Sequence, residues 1–345
     1  MVEYISKTPT PRVSIAPMVD KTDKHFRHFS RLMTTKALLY TEMITCQAIL
    51  NGDRKKLLDF DDVEKPLALQ IAGSNPKEVY EAIKLAEAWD YDEINLNVGC
   101  PSDRVSGNCM GAALMAYPEL VRDMVSEMRR ATSKPITVKH RIGIDGKNIL
   151  PDTFKRTLLD RYEDMVGFVT TVEKAQVDRF IIHARIAILE GLSPKENREI
   201  PPIRYEEVYR LKEEFPHLQI EINGGVKNLD GVKQHLSHVD SVMIGRAAYE
   251  NPYFLRELDS LFTGSINNIS RKEVLERYIP YVEGLEKQGE NAFYALKHTL
   301  DLFSGKPGSR LFKQLISTPP SSGIKPSQLL RKALSELSSE VLQQR

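Results

Sequence analysis

Apolar residues along this chain gather into short runs rich in β-branched side chains, separated by stretches whose apolar positions recur at helical spacing. The runs are nearly continuous, as expected of strands buried on both faces of a parallel sheet. Eight are found: Arg12 to Met18, Ala37 to Met43, Pro66 to Ala72, Glu93 to Gly99, Pro135 to Gly143, Arg179 to Arg185, Ile220 to Val226 and Ser241 to Ala247. Between them lie helix signals. Asn75-Pro76 opens one helix through Ala88, and Tyr117-Pro118 opens another through Ala131. Strand and helix alternating eight times predict an α/β fold, a closed (β/α)8 barrel. An open doubly wound sheet would be favoured by a Gly-x-Gly-x-x-Gly turn, but the chain has no Gly-x-Gly and no Gly-x-x-x-x-Gly-Lys loop.

Beyond about Pro252 the strand pattern stops. Helices are predicted over Arg271 to Gln288, Ala292 to Phe303, Ser309 to Ile316 and Pro326 to Leu342. The expected organisation is a TIM barrel over 1–254 followed by a C-terminal all-helical domain over 255–345.

Composition sharpens this picture in three ways. The 48 Lys and Arg against 47 Asp and Glu leave a net charge of +1, so any nucleic-acid surface must be local. One such patch exists: from Gly305 to Lys332 there are six basic residues and no acidic one, a run that by itself fits a solvated helical face equally well. Three cysteines, Cys46, Cys100 and Cys109, form neither an even set nor a metal-ligand spacing, which points to a reducing compartment and against a disulfide framework, and no metal is expected. With no apolar run near the roughly 18 residues of a membrane span and no apolar signal core at the amino terminus, a cytoplasmic protein with no membrane association is expected.

In such barrels chemistry sits at the carboxyl ends of the strands. Read in order, those ends supply Ala16-Pro17-Met18-Val19, Gln70, Asn97 with Cys100, Lys139, His183 with Arg185, Asn223-Gly224-Gly225 and Gly245-Arg246. Glycines after the seventh and eighth strands allow backbone amides to approach an anion, so a phosphorylated ligand is expected. Lys139, an ammonium inside an apolar barrel, needs an anionic partner. Reduced flavin would be one, and a neighbouring carboxylate would be another. Gln70 offers a donor and an acceptor that match the edge of a flavin pyrimidine ring, or it caps a strand. His183 could be a hydrogen-bonding group, a base or a core histidine. A thiol with an ordinary pKa of roughly 8.5 is mostly protonated at neutral pH, so Cys100 could donate a proton as readily as attack. Cys46 and Cys109 lie away from the predicted strand ends and are expected to be non-catalytic.

Asn-Val-Gly-Cys-Pro-Ser at 97–102, Ala16-Pro17-Met18-Val19-Asp20 and Tyr40-Thr41-Glu42-Met43 together resemble the tRNA-dihydrouridine synthases. Ile182-His183-Ala184-Arg185 and the segment Gly191-Leu192-Ser193-Pro194-Lys195-Glu196-Asn197-Arg198-Glu199-Ile200-Pro201-Pro202 resemble their A subfamily more narrowly. The similarity spans essentially the whole chain, although the stretch 146–178 is longer than the family leads one to expect. The resemblance implies an FMN enzyme that reduces the C5–C6 double bond of uridine in the tRNA D-loop, at positions 20 and 20a, with NADPH as electron donor. It implies FMN contacts from Pro17, Met18, Val19, Gln70, Lys139, His183, Asn223, Gly224, Gly225, Gly245 and Arg246. It makes Cys100 the proton donor and places Asn97, Lys195, Arg198, Arg310 and Lys313 against tRNA.

Chemistry agrees with that assignment. Hydride delivered to C6 leaves enolate-like charge toward C5 and O4, which a thiol on the opposite face can quench. The base must first be turned out of its loop. With no Rossmann segment, NADPH is expected to use the same opening and leave before tRNA binds, and a monomer is expected. Two rival readings compete: a small-molecule FMN barrel such as a dihydroorotate or enoate reductase, which gives no role to the acid-free basic helices, and a non-enzymatic RNA-binding barrel.

Overall fold

The computed structural model describes residues 9–101, 110–151, 153–318 and 323–343. Eight parallel strands form the barrel: β1 (Val13–Ile15), β2 (Leu39–Thr45), β3 (Leu67–Ala72), β4 (Glu93–Val98), β5 (Ile136–Asp145), β6 (Arg179–Ile188), β7 (Ile220–Asn223) and β8 (Ser241–Ile244). Their order is β1-β8-β7-β6-β5-β4-β3-β2. Backbone bonds from Ile15 N to Leu38 O at 2.9 Å and from Leu38 N to Val13 O at 3.2 Å join β1 to the approach of β2 and complete the ring. The chain is a (β/α)8 barrel with helices following it.

The outer face of the sheet is apolar: Ile94, Leu96 and Val98 of β4 and Ile136 and Val138 of β5 are fully or almost fully buried beneath helices. The helices at Pro76–Ala86 and Pro118–Ala131 each carry proline in the first turn, where its missing N–H costs nothing. Asn75 caps the first of them by accepting from Lys77 N at 3.0 Å.

Inside the barrel the alternation places polar groups instead. Arg179 donates to Glu93 at 2.6 Å and to Glu221 at 2.8 Å, while Tyr40 and Thr137 donate to Glu93 and Ser14 to Glu221. These groups fill the lower barrel around a small apolar cluster that includes Ala68, Ile181 and Met243. Burial raises the Glu221 carboxyl, and Arg179 opposes that shift.

Several boundaries differ from the sequence reading for physical reasons. Strands read through 226 and 247 stop at Asn223 and Ile244. Gly224 (φ 116°) and Gly225 (φ 70°) leave the extended region after β7, and Gly245 precedes the helix Arg246–Glu250. β2 runs on to Thr45, so Cys46 does follow a strand end, contrary to expectation. Its thiol is nevertheless buried, and burial pushes it up to about 12. In the long stretch after β5, Leu158–Leu159 pairs antiparallel with Ile144–Asp145, and the helix Tyr162–Val172 follows. The final predicted helix divides into Pro326–Glu336 and Ser339–Gln343 because Leu337 turns extended and buries its side chain.

The C-terminal helices dock on the segment between β1 and β2. Asp259 accepts from Thr34 Oγ1 at 2.6 Å and from the Thr35 amide at 2.9 Å. His28 stacks on Tyr281 at 3.8 Å, and Lys297 and His298 both meet Asp23 at 2.8 Å. Among the described residues no helix is long and apolar enough to cross a membrane.

Candidate active site

The turn after β4 is built by one side chain. Asn97 Oδ1 accepts from Gly99 N at 3.1 Å and Cys100 N at 3.0 Å, while its Nδ2 donates to Gln70 Oε1 at 2.8 Å. Gln70 Nε2 then donates to Asn95 at 2.8 Å, and Asn95 to Thr137 at 2.8 Å. A line of amides therefore runs across the barrel floor of the mouth and fixes which end of Gln70 is the donor. Asn97, expected against tRNA, is only 8% exposed, and its oxygen is committed to the Cys100 turn.

Lys139 pairs in register with Asn97 across the β4–β5 step. Its ammonium donates to Asn223 Oδ1 at 3.1 Å and has no carboxylate partner among the described residues. Burial, with Arg141 adding repulsion, pulls it down to about 8. His183 is buried under the same influences, is held well below its ordinary pKa and is neutral. Its Nδ1 has no hydrogen-bond partner among the described residues. Gly224 lies so close to His183 that an added Cβ would sit 3.2 Å from Nε2. At Gly225 a Cβ would meet Ile203 at 2.6 Å and the Tyr205 hydroxyl at 2.7 Å. Tyr205 also donates to Gly224 O at 2.6 Å, so it holds the glycine turn from outside.

The remaining predicted residues line the rim. Met18 N donates to Thr22 Oγ1 at 3.0 Å, and Val19 is 58% exposed. Glu42, raised by burial, accepts from the Asp20 amide at 2.5 Å and holds Asp20 at a positive φ of 63°. Arg246, next to Gly245, pairs with Glu199 at 2.6 Å. Lys195 precedes and Arg198 closes the short turn at Glu196–Arg198. Arg310 is exposed on the helix Ser309–Ile316, where Lys313 pairs with Asp301 at 2.6 Å. Cys109 lies outside the described residues.

The sequence reading missed four contributors. Arg141 is buried two residues beyond Lys139 on the same inward face, which a period of two could have revealed. Tyr205 carries no motif of its own, and Glu42 lies within Tyr40-Thr41-Glu42-Met43 but was given no role there. Lys21, stacked over Tyr249 at 3.8 Å, lies between Arg198 of the rim and Lys297 of the C-terminal helices, with Glu250 and Asp301 also acting on it.

A buried ammonium and a histidine nitrogen that find neither carboxylate nor hydrogen-bond partner among the described residues, together with a glycine turn, suit an anionic heterocycle that bears a phosphate. The Cys100 turn borders the same space.

Comparison with known proteins bears on this arrangement. The dihydrouridine synthase (Dus) family profile matches residues 14–337. The chain is 50% identical over 335 residues to the tRNA-dihydrouridine(20/20a) synthase of Synechocystis sp., covering 97% of each chain. It is 48% identical to the protein of that name from Pseudomonas aeruginosa, covering 94% of each, and 47% identical to that from Vibrio parahaemolyticus, covering 97% of this chain and 99% of the other. A 2-naphthoyl-CoA reductase complex shares the fold with a TM-score of 0.53 at 12% identity, over 78% of this chain and 53% of that one. With its barrel, its Cys100 turn and a family match across nearly its full length, the chain belongs to the dihydrouridine synthase family.

Proposed function

We propose that this protein reduces uridines 20 and 20a in the D-loop of tRNA to dihydrouridine, using FMN and NADPH. The observation that carries the reading is the shared mouth of Cys100 and Lys139: a thiol on the β4 turn and, one strand away, an ammonium with no carboxylate partner among the described residues.

FMN fits the residues present. Gln70, Lys139 and His183 would hold the ring system, with Pro17, Met18 and Val19 beside it. Asn223, Gly224, Gly225, Gly245 and Arg246 would hold the phosphate. When bound, the flavin supplies the hydride for C6 of uracil. Lys139 would supply positive charge to a reduced, anionic ring. Cys100 Sγ holds the proton that C5 receives, and Asn97 fixes the backbone from which that thiol projects.

The target base leaves its stack to reach this mouth, so recognition falls to the backbone and shape of the tRNA. Lys195 and Arg198 at the rim, with Arg310 and Lys313 on the helical part, are the cations assigned to that role. Lys21 and Lys297 bridge the two sets. The division of labour is a catalytic barrel over 1–254 and a tRNA-binding helical domain over 255–345, acting in the cytoplasm as a monomer. NADPH uses the same opening before tRNA arrives.

The test is mass mapping of dihydrouridine in tRNA from cells lacking the protein. Loss at positions 20 and 20a, restored by the wild-type gene, is expected. Unchanged dihydrouridine at both positions would refute the assignment.

A further inference from the structure

We infer that Arg141 is a positioning residue that ties Cys100 to the loop bearing Lys195 and Arg198, and that its buried guanidinium is the counter-charge for the thiolate formed when Cys100 gives up its proton. This rests on Cys100 as the proton donor.

Arg141 is 4% exposed. Its Nε donates at 3.1 Å to the carbonyl of Gly99, the residue immediately before Cys100. Its Nη1 donates to Ile186 O at 3.2 Å and to Asn197 O at 3.1 Å. Asn197 is itself fully buried and bonds both the N–H and the carbonyl of Ile188. One guanidinium therefore joins the Cys100 turn, β6 and the 195–198 loop, so a movement of the loop reaches the thiol through a single rigid group.

The electrical side is equally specific. Among the described residues Arg141 has no carboxylate partner, and its Nη2 makes no hydrogen bond. A buried cation left so is costly unless negative charge arises beside it. Burial draws the guanidinium down to about 9, and Cys100 is the group that acts in the opposite sense. Lys139 and Arg198 also face Cys100, but Lys139 is engaged with Asn223, and Arg198 lies at the rim. When C5 takes the proton, the S–H bond breaks and the C5–H bond forms with the electron pair that hydride addition at C6 placed on C5 and O4. Sulfur keeps its bonding pair as thiolate, water later returns a proton, and Arg141 stays protonated throughout.

The test compares wild type, Arg141→Met and Arg141→Lys as flavin-loaded protein. Cys100 alkylation by iodoacetamide at pH 7 is followed by peptide mass, since cleavage after Arg104 separates Cys100 from Cys109. Loss of the counter-charge should slow Cys100 alkylation about tenfold in the Met variant, lower tRNA turnover and raise KM for tRNA. The Lys variant keeps the charge without the three-carbonyl grip, so it should alkylate near the wild-type rate yet still show a raised KM. Equal or faster alkylation in the Met variant, the outcome of loosened packing alone, would overturn the counter-charge. An unchanged KM in both would overturn the tether. If the Met variant does not fold, the Lys variant decides: a wild-type KM overturns the inference. Cys100→Ala is measured alongside, because wild-type dihydrouridine formation there would refute the proton-donor reading whatever Arg141 does.

Discussion

Asn97 and Cys100 are joined by a 3.0 Å hydrogen bond from the cysteine amide to the asparagine side-chain oxygen. The same oxygen takes the Gly99 amide, and the other end of the side chain engages Gln70. Asn97 thus sets the thiol and the amide row beneath it at once. Asn97→Ala leaves two backbone donors and the Gln70 oxygen short of a partner, at a cost of about 1–3 kcal/mol. Denaturant unfolding should show that loss, and dihydrouridine formation should fall at least about tenfold. Full activity in this variant would mean that the turn does not govern the thiol.

Lys139 predicts a pH dependence for flavin binding. Buried without a carboxylate, it loses its proton near pH 8 in the free protein. The anionic, reduced flavin raises that value, so its binding is strongest below pH 8 and weakens as pH rises through it. Titrations should show flat affinity near pH 7 and a loss of about tenfold by pH 9. Lys139→Met should bind weakly and without this slope. A slope that survives the substitution would assign the titration elsewhere.

Arg179 makes a stability prediction. It is the cation between the Glu93 and Glu221 carboxylates in the closed lower barrel. Arg179→Met strands two buried acids and should cost about 3–5 kcal/mol in urea unfolding. A loss below about 1 kcal/mol would mean that both acids are already protonated in the native state.

Arg310 and Lys313 differ in surroundings. Lys313 must leave Asp301 to meet a phosphate, whereas Arg310 is exposed and has no ion-pair partner among the described residues. Arg310→Ala should therefore weaken tRNA binding more than Lys313→Ala, and removing one cation from a phosphate should flatten the log–log salt slope by about 0.7–0.9. Equal salt slopes in wild type and Arg310→Ala would remove Arg310 from the interface.

The eight strands were legible because short runs dominated by apolar residues, such as Leu67 to Ala72, recur between helix signals. The polar barrel interior was not, although Glu93, Asn95 and Asn97 alternate with Ile94, Leu96 and Val98. Strands expected to be buried on both faces were expected to be apolar on both, so these inward polar positions received no common role. Cys100 stood out because it follows β4 directly, and Lys139 and His183 because an ammonium and an imidazole interrupt apolar runs, although β5 and β6 continue past both to Asp145 and Ile188. Arg141, inside the run Pro135 to Gly143, did not, because the carbonyls it holds, those of Gly99, Ile186 and Asn197, come from segments that only the fold brings together. Lys21 and Lys297 come from opposite ends of the chain, and only the docking of the helices on the β1–β2 segment brings them together.

The most direct measurement is dihydrouridine formation, by mass, in a tRNA incubated with purified flavin-loaded protein and NADPH, comparing wild type with Cys100→Ala. The wild type should convert positions 20 and 20a, and the variant should keep its flavin, still oxidise NADPH and lose most of the dihydrouridine product. Equal conversion by the two proteins would contradict the role given to the sulfur of Cys100.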